Sequence, residues 1–137
     1  MSASRSTQTA LISIMVFVSA ADRDMTDAEL RTMGDLVRTL PVFEDFPEEA
    51  LILASQSAAE IAQKTESLEQ AIAVVRESLP DTLCETAYAL ACDIAAADGL
   101  LASEEIRALE LIRFGLGLDR LTAAAIERAA KARFTTG

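Results

Sequence analysis

A chain of 137 residues with 51% hydrophobic side chains and a net charge of −10 makes one domain, able to bury roughly two thirds of the surface its unfolded form would expose. Its negative charge repels phosphate backbones, so nucleic acid is not an expected partner. The sequence contains no histidine, which excludes Ser-His-Asp and Cys-His catalysis, the Glu-x-x-His pairs of di-iron bundles and His-based zinc sites. Only three prolines and five glycines interrupt an Ala- and Leu-rich chain, and no stretch alternates apolar and polar residues as a strand would. The expected class is all-α, with about seven helices.

The first helix covers about Gln8–Ala21 and is apolar nearly all round, as a buried helix is. Arg5, the apolar run Ala10–Val18 and then Ser19, Ala20 and Ala21 also fit the pattern of a secretory signal peptide. A core helix is the better reading, because the same pattern recurs inside the chain at Ala87–Ala97. The run is also shorter than the roughly 20 apolar residues that cross a membrane. The second helix starts at Thr26 or Asp27 and runs to Leu40, with Thr26 and Glu29 at the spacing of a capping box and Pro41 as its stop. Val42–Phe46 is expected as a loop. Pro47 is expected to open the third helix, with Glu48 and Glu49 in the first turn, where the helix dipole favours anions.

Ser67 with Gln70 caps the fourth helix, and Leu68, Ile72, Val75 and Leu79 form its stripe. Pro80 and Asp81 separate it from a fifth, Thr82–Ala97. Glu85 and Asp93 share one face of that fifth helix, either as a carboxylate pair or as the solvated edge of a buried helix. Cys84 and Cys92 lie in it as well, separated by about 12 Å of rise, too far for a disulfide between them. They read as small core residues and, as free thiols, suit the cytoplasm. The sixth helix, Ser103–Phe114, is expected to end at Gly115, and Asp119 to cap a seventh that reaches Phe134.

One phrase occurs twice. Ala20, Ala21, Asp22 and, after a short gap, Glu29 and Leu30 reappear at constant offset as Ala96, Ala97, Asp98, Glu105 and Ile106. At the same offset Met33, Leu36 and Leu40 fall on Leu109, Ile112 and Leu116. An acidic turn and the apolar register of the following helix are thus both repeated, the mark of a duplicated unit. The single domain 1–137 divides into repeat A (about 8–63), an insert helix (about 67–79) and repeat B (about 82–134), with pseudo-two-fold symmetry and the first and fifth helices at the centre. Ile12, Met15 and Val16 are expected in one core with Leu90, Ile94 and Ile106.

The acidic turns admit two readings. Asp22 with Glu29, and Asp98 with Glu105, can converge across a helix–turn–helix as oxygen ligands for a divalent cation such as Ca²⁺ or Mg²⁺. Equally, Asp98 and Gly99 form a turn dipeptide, and Glu29 and Glu105 stand in first helical turns, where capping and the dipole favour them. The spacing is not that of an EF-hand loop.

The phrase Ala95–Glu105, inside a duplicated all-helical chain of this size, resembles the tellurite-resistance TerB family. The resemblance runs from about Leu11 to Lys131 and rests on Asp98, Gly99 and Glu105, on Asp22 and Glu29, and on the repeated apolar positions. It implies a compact helical domain with an acidic face for metal ions, and association with other bacterial tellurite-resistance or stress-response proteins, near the membrane but with no transmembrane segment. It implies no catalysis. One departure is Arg23, where the second copy has Gly99; its charge beside Asp22 opposes a cation there. The alternative function is a divalent-cation-dependent enzyme using clustered carboxylates on a phosphate-containing substrate, marked by a pocket of acids with adjacent Arg.

Overall fold

The computed structural model describes residues 3–22, 25–97, 99 and 103–137, the side chain of Asp22 excepted. Seven α-helices follow one another: α1 Arg5–Ser19, α2 Asp27–Thr39, α3 Glu49–Lys64, α4 Leu68–Arg76, α5 Cys84–Ala96, α6 Ser103–Leu116 and α7 Arg120–Phe134. Short 3-10 turns at Ala20–Asp22, Pro41–Phe43 and Asp81–Leu83 link them. No strand occurs among the described residues, and none of their helices is long and apolar enough to cross a membrane.

The centre of the molecule is α1 against α5. Leu11, Ile12, Ile14, Met15 and Val18 of α1 are wholly buried, together with Ala87, Leu90, Ala91 and Ile94 of α5. α3 packs on α1, and α7 packs on α5. α2 reaches across to α5, and α6 to α1. The helix between the repeats, α4, is equally part of the core: it packs on α6 and α1 through Ile72 and Val75.

Because α1 is buried all round, its polar residues must find partners inside. Ser4 caps it by accepting from Thr7 N at 3.2 Å, which starts the helix earlier than Gln8. Thr7 Oγ1 donates to Ser78 O at 3.1 Å. The buried Gln8 amide donates to Val42 O and Glu44 O at 3.1 and 3.2 Å, pinning the α2–α3 connection to the first helix.

Three expectations need correcting. Gly115 does not end α6. The helix runs to Leu116, and Gly117 takes the left-handed conformation at φ 70°. Gly117 N bonds to Phe114 O at 3.1 Å and Leu118 N to Arg113 O at 3.2 Å, a Schellman motif. Gly115 serves packing instead: a Cβ there would lie 2.5 Å from Ile72 Cγ2, so the α4–α6 contact requires its absence. Pro47 stands two residues ahead of α3, where its carbonyl accepts from Ala50 N at 3.0 Å. Ile106 is not in the core with Ile12, Met15, Val16, Leu90 and Ile94; it is 44% exposed, and its repeat-mate Leu30 is exposed as well. Both sit on the outer flank at the start of their helices, one turn before the buried Met33 and Leu109.

Candidate functional site: two acidic turns and a groove in the second repeat

At the first turn the chain leaves α1 through the 3-10 turn Ala20–Asp22 and enters α2 at Thr26. The capping box is complete. Thr26 Oγ1 accepts from Glu29 N at 3.1 Å, and Glu29 Oε1 accepts from Thr26 N at 2.8 Å. Glu29 is only 1% exposed, and this reciprocal bonding satisfies part of a carboxylate that burial would otherwise penalise.

The second turn differs in sequence where it matters. Ala102 stands at the position of Thr26, so the hydroxyl half of the capping box has no counterpart. Glu105 is nevertheless 2% exposed in the first turn of α6. Gly99 takes φ 76°, a left-handed conformation that glycine adopts without strain, and its N bonds to Ala96 O at 3.1 Å. Of the four acids singled out by the repeat, Glu29 and Glu105 are therefore placed, each buried at a helix start. Asp98 and the side chain of Asp22 lie outside the described residues. Among the described residues no three of Cys, Asp and Glu come together in a group that could hold a metal ion.

Glu85 and Asp93 do not act as a pair. Glu85 is exposed, whereas Asp93 is buried and accepts a charge-assisted bond from Arg133, which ties α5 to α7. One helical turn earlier the buried Tyr88 hydroxyl donates to Glu127 of α7. Burial, and then the Glu127 carboxylate, push the Tyr88 phenol far above its ordinary range. Cys92 lies beside it; burial first and the Glu127 charge second push its thiol up to about 12. Burial also raises Cys84. Both cysteines are free and buried, so both are protonated core thiols at neutral pH and poor nucleophiles.

Tyr88 and Cys92 form the floor of a groove of about 700 Å³ between α5, α6 and α7. Ile106, Leu109 and Phe134 wall it, and Arg113 and Lys131 bring positive charge to it. The sequence analysis did not single out this groove; the signal that could have marked it is the repeat, which sets the polar Tyr88, Cys92 and Arg113 at the places of Ile12, Val16 and Val37.

No curated protein and no solved structure significantly matches the chain. The family model for tellurite resistance protein TerB matches residues 8–129, which include both acidic turns and most of the groove, and the chain belongs to that family.

Proposed function

We propose that this TerB protein is a non-catalytic module of bacterial tellurite and stress resistance whose second acidic turn, Asp98 with Glu105, takes a divalent cation and offers the loaded turn to partner proteins of the same response. The observation that carries the reading is the repeated acidic turn itself: Asp22 with Glu29 and Asp98 with Glu105 recur at constant offset in a chain that belongs to the TerB family, and Glu29 and Glu105 are both buried at a helix start. Carboxylate oxygens are the hard donors that Ca²⁺ and Mg²⁺ select.

The first turn fits a cation less well than the second, since Arg23 adds a positive charge to the sequence beside Asp22 where the second copy has Gly99. Two carboxylates fall short of the six to eight oxygens of a tight Ca²⁺ site, so the affinity is expected to be weak. The groove adds nothing to an enzymatic reading: Glu127 is engaged by Tyr88, and Glu110 by Arg107 at 3.1 Å. Two buried free thiols suit a reducing compartment, and we place the protein in the cytoplasm.

Calorimetric titration with Ca²⁺, Mg²⁺, Mn²⁺ and Zn²⁺, on the parent and on Asp98→Asn and Asp22→Asn, tests this. Asp98→Asn should lower affinity more than Asp22→Asn. A parent protein that releases no heat with any of the four ions, with both variants melting near the parent temperature, would leave the four acids as structural residues.

A further inference from the structure

We propose that the groove between α5, α6 and α7 is a binding site for a small amphipathic anion, a carboxylate carrying an apolar tail. Its volume of about 700 Å³ falls within the range of small-molecule sites, roughly 300–1,000 Å³. Its walls can take the tail: Ile106 and Phe134 offer apolar surface that the fold leaves partly open.

Its charges select the head. Of the groove's two glutamates, Glu110 pairs with Arg107 and Glu127 accepts from Tyr88. The two cations are not matched in this way. Among the described residues neither Arg113 nor Lys131 has a carboxylate partner; Arg113 lies over the Phe114 ring at 4.3 Å and reaches Leu118 O at 3.5 Å. In a chain of net charge −10, Arg113 and Lys131 offset the Glu110 and Glu127 charges at the groove, and Arg107 further covers Glu110, so the groove is locally far less negative than the chain and an anion can approach its two cations.

The repeat shows that the fold does not require these polar groups. At the equivalent places in the first copy Ile12, Val16 and Val37 are buried core residues, where the second has Tyr88, Cys92 and Arg113. The same scaffold therefore buries aliphatic side chains at these places in one half, and in the other a phenol and a thiol at the floor of a groove with a partly exposed guanidinium at its side.

Tyr88 is the only tyrosine, and the chain has no tryptophan, so tyrosine emission reports directly from the groove floor. The probe is decanoate, titrated below its micellar range, with acetate as the head alone and decyltrimethylammonium as the same tail with opposite charge. Decanoate should change Tyr88 emission saturably, with acetate and decyltrimethylammonium far weaker. Lys131→Glu, at an exposed position, should weaken decanoate by about tenfold or more, and Arg31→Glu, on α2, by less than about twofold. Arg113→Glu should act like Lys131→Glu, and thermal melting checks that each variant is folded. The proposal is overturned by a parent that shows no saturable change, by decyltrimethylammonium binding as tightly as decanoate, or by folded Lys131→Glu binding like the parent.

Discussion

The two halves of this protein share a register but not a chemistry. In the first, α2 is locked at its start by a complete capping box, and Ile12, Val16 and Val37 are buried. In the second, α6 begins without the threonine of that box, and the equivalent positions are polar and line an open groove. Both copies bury the first two of these positions, but only in the second do they floor a groove, with Arg113 partly exposed beside them. Once two copies pack through α1 and α5, only one of them needs to be closed.

The sharpest way to break the comparison is at its aligned core positions. Ile12→Asp buries an unpaired charge at the centre and should cost about 4 kcal/mol or more, enough to unfold the chain in a urea titration. Tyr88→Phe, at the equivalent position, should cost only about 1 kcal/mol, because it removes one hydrogen bond to an exposed glutamate. A loss from Tyr88→Phe as large as that from Ile12→Asp would show that the second copy depends on its Tyr88–Glu127 bond as the first depends on apolar burial.

Next in size is the glycine at which α6 meets α4. Gly115→Ala places a Cβ against the buried, β-branched Ile72 and should cost about 1–3 kcal/mol by overpacking. Combining it with Ile72→Ala should recover part of that loss, a coupling that a double-mutant cycle measures. Thr39→Ala, at the exposed first-copy equivalent, should be near neutral.

Thr26→Ala then tests the capping box. It should cost about 1 kcal/mol, the ordinary penalty for losing a side-chain N-cap. If the thermal midpoint does not move, the box is not what distinguishes the first turn from the second.

The smallest effect concerns the last helix of each repeat. α7 is capped by Asp119, which accepts from Thr122 N at 3.4 Å, whereas Glu48 makes no side-chain cap on α3. The Thr122 bonds lower the Asp119 pKa. A folded-state pKa below the unfolded value means that the stabilisation is fully present above the ordinary aspartate range, near pH 4. It is lost as pH falls through the folded pKa. Asp119→Asn should therefore flatten the acid limb of stability against pH slightly, and Glu48→Gln should not affect the α3 start.

Local chemistry made much of the fold legible in advance. The starts of α2, α4 and α7 were marked by Thr26, Ser67 and Asp119, each bonding a backbone N–H within its own first turn. The apolar surround of α1 marked it as buried. Where the reading slipped, the reason was a contact distant in sequence. Gly115 looks like a helix terminator until Ile72 is seen against it. Ile106 keeps a core register yet faces the groove, because α7 leaves that flank open. Asp93 resembles a surface acid until α7 brings Arg133 to it.

The sequence by itself determined the helical class, the doubled acidic turn and the absence of imidazole chemistry, because capping, periodicity and composition act within a few residues of one another. The tertiary structure alone decided which acid an arginine engages, which glycine is a contact and which copy borders a groove, because burial and pairing depend on what the rest of the chain places opposite each side chain.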